Sequence, residues 1–273
     1  MAGKVCLVTG ASAGIGQAIA LELLRAGHTV YGLARRVERM DVIARAGGHP
    51  IGADVTSEAD LVRAVTTVLD AHGRLDVLVN NAGGVVHGAA EDVPVELARQ
   101  VFEVNLFGPA RLAQLVLPGM RERRSGTIVN ISSIGGEIAL PLGSWYYASK
   151  HALEAYSDSL RQETGPFGVR VVVVQPGIIR TGFEDGTPGE LREISGHGAY
   201  AGTAEWMARR AERSLGERAT GSDPLVVARL VRRIAATPAP RPRYAVGKYA
   251  RLLLWLNRLL PDRLYDKMVT RQA

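Results

Sequence analysis

"KVCLVTGASAGIG", residues 4–16, decides how the rest of the chain is read. Its first half is a β-branched apolar run. Its second half is a glycine-marked turn that opens into a helical pattern. From Gly14 onward Ile15, Ile19, Leu23 and Leu24 share one helical face, and Gly27 stops the pattern. A strand, a tight turn and a helix in that order put Gly10, Gly14 and Gly16 where backbone must approach closely. The first N–H groups of such a helix have no partner within it, and they suit a pyrophosphate. The spacing is G-x-x-x-G-x-G, not the G-x-G-x-x-G of the usual fingerprint.

The same alternation continues along the chain. "HTVYGLA", "HPIGADV", "LDVLVNNAG", "GTIVNIS" and "GVRVVVVQPG" read as further strands, and "PRYAVG" as a short seventh. Ser57 caps a helix reaching about Ala71, and long helices are expected over residues 94–120 and 144–164. "VRVVVVQ" is apolar without alternation, as in a parallel sheet buried on both faces. The expected fold class is α/β: a single-domain, doubly wound Rossmann fold over residues 1–273. It has about seven mostly parallel strands flanked by helices. Residues 178–222 are expected to form a substrate lid and 248–273 a C-terminal helical extension.

Composition bounds the function. The chain has 273 residues, 47% hydrophobic and 22% charged, which is ordinary for a soluble globular protein. No stretch approaches the apolar length that crosses a bilayer, and no secretory signal is visible, so a cytoplasmic location is expected. Cys6 is the only cysteine, so no intrachain disulfide forms, and no metal site is expected. The net charge is +6, but the arginines are scattered as on solvated helix faces, and nucleic acid is not an expected partner.

The end of the second strand bears on which dinucleotide fits. An acidic residue there would hold the ribose 2′-hydroxyl of NAD. This chain has Arg35 and Arg36, whose guanidinium groups suit a 2′-phosphate. The reading is NADP(H), with NAD(H) as the alternative. Against it stands a plain surface turn in which Glu38 pairs with an arginine. Asp54 suits either the adenine amino group or a turn cap.

Lysine is rare here, at positions 4, 150, 248 and 267 only. Lys150 stands four residues after Tyr146, on the same helix face. A nearby ammonium favours the phenolate and would lower the phenol pKa toward a range useful for acid–base work. Lysine is a compact charge with three donors, which also suits ribose hydroxyls. Tyr147, three residues before Lys150, has the same access, and spacing alone does not choose between the tyrosines.

"TGASAGIG", "NNAG" at 80–83, "YYASK" and Pro176-Gly177 occur in the order of the short-chain dehydrogenase/reductase family, and the chain resembles it over about residues 4–181. Within it the chain resembles hydroxysteroid-dehydrogenase-like members. The resemblance implies direct hydride transfer between a nicotinamide and a carbonyl or alcohol, with reduction favoured; the alternative is a catalytically inactive dinucleotide-binding regulatory or scaffold protein. It implies Tyr146 as the acid/base, Ser133 as the hydroxyl that orients the substrate oxygen, Lys150 at the nicotinamide ribose, and Asn105 as the fourth member. Read without the family, Asn105 is a polar group packing a helix.

The resemblance also implies a cofactor site. It comprises Gly10, Ser12, Gly14, Ile15 and Gly16 in the turn, Arg35, Arg36, Asp54 and Val55 beyond the next strands, and Asn81, Ala82 and Gly83. Pro176, Gly177, Ile179 and Thr181 complete it, with Tyr146 and Lys150. Ala13 departs from the pattern, since NADP-preferring relatives often carry a basic residue there. Partners implied are a small apolar carbonyl or alcohol substrate and further copies of the chain, as a homodimer or homotetramer. Trp206, Met207 and Tyr200 suit either a substrate pocket or packing of a lid helix. The tail carries leucines, Trp255 and arginines at helical spacing; docking on the lid or a second subunit is preferred to contact with a membrane surface.

Overall fold

The computed structural model describes residues 3–216 and 221–270, so residues 217–220 of the expected lid and 271–273 of the extension lie outside it. Strands β1 (Val5–Thr9), β2 (Thr29–Ala34), β3 (His49–Gly52), β4 (Val77–Asn80), β5 (Gly126–Ile131), β6 (Val169–Pro176) and β7 (Arg243–Val246) form one sheet in the order β3-β2-β1-β4-β5-β6-β7. Every pairing is parallel. The short seventh strand is present and runs beside β6 from Val173↔Arg243 to Pro176↔Val246.

The helices are α1 (Gly14–Arg25), α2 (Asp41–Arg45), α3 (Glu58–His72), α4 (Val95–Phe102), α5 (Gly108–Glu122), α6 (Ser144–Thr164), α7 (Thr187–Ser195), α8 (Ala201–Gly216), α9 (Leu225–Ala236), α10 (Ala250–Leu259) and α11 (Asp262–Thr270). On one face of the sheet Val172 and Val174 pack with Ile19 and Leu23 of α1 and Val227, Val231 and Ile234 of α9. On the other, Val169 and Val171 pack with Leu61 and Val65 of α3, Leu112 and Val116 of α5 and Leu160 of α6. Alternate valines of β6 thus serve opposite helix layers, which is why its sequence does not alternate.

Local signals fix the helix ends. Ser57 accepts from the Asp60 N–H at 3.3 Å at the start of α3. Gly73, at φ 64°, ends that helix in a conformation that favours glycine. The single helix expected over 94–120 is instead two helices joined by a π turn, Glu103–Phe107, in which the Gly108 N–H bonds the Glu103 carbonyl. Apolar periodicity tolerates one extra residue, so the sequence pattern gives no sign of it. Gly108 is needed there, because a Cβ would come within 2.6 Å of the Val55 carbonyl oxygen.

Strand order reverses between β1 and β4, which opens a crevice beyond the carboxyl ends of the strands. The segment after β6 closes over that end. Despite its glycines it folds into α7 and α8, where Leu191, Ala204 and Ala208 make a small core with Ala89 and Leu142. Met207 and Tyr200 pack against that core. Trp206 lies under the Arg210 guanidinium, 5.5 Å from its ring centroid. The Ala89 N–H donates to Ser195 Oγ at 2.8 Å and the His87 N–H to Glu190 Oε2 at 2.9 Å, tying α7 to the loop after β4. Among the described residues no helix is long and apolar enough to cross a membrane.

Candidate active site

The turn after β1 is built as a cradle. Gly10 and Gly14 have φ +66° and +55°. Gly16 sits so close to the Gly10 carbonyl oxygen and the Asn81 side-chain nitrogen that a Cβ would overlap both. Ala13 caps α1 with extended backbone and no side-chain hydrogen bond, so no side chain of its own satisfies the helix start. Ser12 and Gly16 are buried and Ile15 is half-buried. The Asn81 and Ala82 N–H groups both donate to Thr9 Oγ1 at 2.9 Å, and the Asn81 side chain donates to the Thr9 carbonyl at 2.9 Å. Gly83 continues that strip to Asn105, whose Oδ1 would lie 3.4 Å from a Cβ at Gly83.

Pro176 ends β6, and the Gly177 N–H donates to the Val246 carbonyl at 2.9 Å. Ile179 bridges to Ser222, and Thr181 lies opposite Gly14, 3.2 Å from where a Cβ would stand. An uncapped helix start, glycines that admit no side chain and a facing Thr181 fit a dinucleotide diphosphate.

Arg35 and Arg36 follow β2 and are exposed. Arg35, 79% exposed in its side chain, lies 3.9 Å from Asp54 Oδ2, so its acidic neighbour is Asp54. Asp54 Oδ1 accepts from the Thr56 N–H and hydroxyl at 2.9 Å each, a turn-capping arrangement. Val55 is buried beside it.

Ser133, Tyr146, Lys150 and Asn105 come from three elements onto one side of the crevice. The Ser133 hydroxyl accepts from the Gly135 N–H at 3.0 Å and also bonds the Tyr146 phenol. The Lys150 ammonium is buried, donates to the Ile131 carbonyl at 3.1 Å and lies 6.0 Å from the Tyr146 ring centroid. The tyrosines are thereby told apart. Tyr147 turns toward Gly135 and Gly143, its ring edge-on to Tyr146 at 5.5 Å between centroids. Asn105 Nδ2 donates to the Gly84 carbonyl and to Ser149 Oγ at 2.9 Å each, and its Oδ1 accepts from the Gly84 N–H at 2.8 Å. Its side chain locks the loop after β4 to α6.

One expectation is corrected. Lys150 was expected to acidify the phenol, but in the chain alone the Tyr146 pKa is pushed up to about 12. Burial is the main cause, the Ser133 hydrogen bond opposes it, and Glu184 adds to it. The cation is itself weakened: burial lowers Lys150 to about 8 against the opposing charge of Glu154. Desolvation outweighs the Ser133 hydrogen bond at the phenol and the Glu154 charge at the ammonium.

Sequence reasoning missed the support beneath this site. Glu154, one turn beyond Lys150, is buried and accepts from Arg243 at 2.9 and 2.7 Å and from Gln175 at 3.1 Å. Gln175 also donates to Glu137 at 2.7 Å. The one available signal was Gln175, a polar residue closing an apolar strand run. Phe183, 6.3 Å from the Tyr146 ring, and Glu184 also escaped notice, within a segment read only as a lid.

The family profile described as short chain dehydrogenase matches residues 4–189. The chain belongs to the short-chain dehydrogenase family. It is a dehydrogenase/reductase, an oxidoreductase by descent as well as by fold. A 3-ketodihydrosphingosine reductase of Bacteroides thetaiotaomicron is 35% identical over 95% of this chain and 94% of its own length. The crystal structure of a short-chain dehydrogenase from Streptomyces avermitilis matches with a TM-score of 0.83 and 36% identity, over 99% of this chain and 98% of that one. A variant actinorhodin polyketide ketoreductase solved with NADPH matches with a TM-score of 0.75 and 31% identity, over 89% and 96%.

Proposed function

We propose that this short-chain dehydrogenase is a cytoplasmic, NADP(H)-dependent reductase that converts a ketone or aldehyde on a small apolar molecule to the alcohol. The observation that carries the reading is the Tyr146 phenol, held against the Ser133 hydroxyl on a helix face shared with buried Lys150. NADP(H), when bound, supplies the hydride. Gly10, Ser12, Gly14, Ile15 and Gly16 would hold its diphosphate, with Pro176, Gly177, Ile179 and Thr181 closing from the other side. Asn81, Ala82, Gly83, Asp54 and Val55 would border the adenosine, with Arg35 and Arg36 at the 2′-phosphate. An NADPH-bound structural neighbour supports the same cofactor.

In this reading Ser133 orients the substrate oxygen, Tyr146 donates its proton to that oxygen, and Lys150 holds ribose hydroxyls. A phenol whose pKa is raised is protonated at neutral pH, as a proton donor must be, although the rise also makes it a weaker acid. Asn105 acts as a positioning residue through Gly84 and Ser149. One relative is named for a keto substrate and one neighbour as a ketoreductase, which supports a carbonyl as the reacting group. Exposed Val95 and Phe107 supply an apolar face for assembly as a homodimer or homotetramer.

The test is NADPH consumption over a panel of ketones and aldehydes, with Tyr146→Phe run alongside. Loss of a positioned acid should cost roughly 10²–10⁴-fold in rate. Turnover by Tyr146→Phe at the parental rate would sink the assignment. Replacing Arg35 and Arg36 together with alanine should weaken NADPH at least ten-fold and leave NADH within two-fold; equal loss for both would remove the 2′-phosphate reading.

A further inference from the structure

The two C-terminal helices each reach the segment between Ser133 and Tyr146. Asn257 Nδ2 donates to the Glu137 carbonyl at 3.0 Å, Arg258 to the Glu137 carboxylate at 3.0 Å, and the Tyr265 hydroxyl to the Ala139 carbonyl at 2.9 Å. Tyr265 lies near enough to Tyr147 to act on it electrostatically. The two helices therefore stand beside the segment that leads from Ser133 into the helix carrying Tyr146.

Their outer surface is apolar. Leu252, Trp255 and Leu259 of α10 and Leu264 and Met268 of α11 are between 46% and 59% exposed. At spacings i, i+3, i+7 and i, i+4 they form one stripe on each helix. Arg251 and Arg258 flank the first stripe, and Arg263 and Lys267 the second. From 248 to 270 the cations are Lys248, Arg251, Arg258, Arg263 and Lys267, against two carboxylates, Asp262 and Asp266. An apolar stripe edged with cations and carrying an exposed tryptophan is the pattern of a helix lying in a bilayer interface. A second copy would bring the same excess of cations against itself, whereas anionic headgroups complement it.

We propose that the exposed apolar stripes of α10 and α11 dock on an anionic lipid surface, from which the enzyme takes a long-chain, amphipathic carbonyl substrate. The docking stands by itself; the substrate class rests on the carbonyl-reductase reading above. Leu252, Trp255 and Leu259 enter the interface, Arg251, Arg263 and Lys267 meet the headgroups, and Arg258 stays with Glu137 to hold α10 beside the site. The proposal departs from the sequence-based preference for packing over the lid or against a second subunit, because the stripe faces outward and is edged with cations.

The experiment sediments the full chain with sucrose-loaded vesicles of phosphatidylcholine alone or with 30% phosphatidylglycerol, while sizing the protein in solution. The parent should pellet with the anionic vesicles at least ten-fold more than with the neutral ones, and less so in 0.5 M salt. Leu252→Ser/Trp255→Ser/Leu259→Ser should lose at least ten-fold in vesicle binding, keep the parental melting temperature, and reduce a short water-soluble ketone at the parental rate. Its rate on a long-chain ketone carried in anionic vesicles should fall at least ten-fold. No pelleting of the parent overturns the proposal, as does a variant that binds vesicles equally or only changes oligomeric state. If neither ketone is reduced by the parent, the carbonyl-reductase reading fails, while the vesicle assay still decides the docking.

Discussion

Replacing Arg243 with alanine strips Glu154 of two charge-assisted hydrogen bonds, at 2.9 and 2.7 Å, and Asp158 of one at 3.0 Å. The Glu154 side chain is only 8% exposed, so its charge cannot turn to water. Removing one partner of a buried pair costs about 3–5 kcal/mol. Gln175 still donates to Glu154 at 3.1 Å, which places the expected loss near the lower limit, about 3 kcal/mol at pH 8. Urea unfolding followed by circular dichroism at pH 8 measures that loss. In a Glu154→Gln background, Arg243→Ala should cost about 2 kcal/mol less than it does alone at pH 8. A loss below about 0.5 kcal/mol, or the same loss in both backgrounds, would refute the argument that a buried carboxylate is being stripped of its cation.

Three further outcomes follow from the same geometry. The rate of NADPH-dependent reduction should decline as pH rises through about 8, where Lys150 loses its proton, with no separate break from Tyr146 below pH 10; a pH profile of kcat/KM checks this, and a flat profile to pH 10 would dissociate Lys150 from the reaction. Gly135→Ala puts a Cβ 2.9 Å from Tyr147 Cδ1 and 3.3 Å from Tyr146 Cε1, so it should displace both rings and lower turnover at least ten-fold with little change in melting temperature, measured side by side. Cys6 is buried and its thiol is pushed up to about 12, so a thiol reagent at pH 8 should label it only as fast as the chain unfolds; rapid labelling of the native protein would contradict its burial.

The sequence by itself determined the glycine cradle, the parallel sheet and the helix face shared by Tyr146 and Lys150. Each follows from neighbours in the chain: turn chemistry, apolar runs and a 3.6-residue period act over a few residues. The expected helix over 94–120 shows where that reach ends. A one-residue π insertion leaves the apolar pattern intact while bringing Asn105 against Gly84 and Ser149. Only the tertiary structure decided which tyrosine bonds Ser133, since residues at i+3 and i+4 share a face and a partner from the turn after β5 must choose between them. It alone brought Arg243 to Glu154 across 89 residues. It also reversed the expected direction of the phenol's pKa, because desolvation sums over every atom packed around a group, and most of those atoms belong to residues far away in sequence.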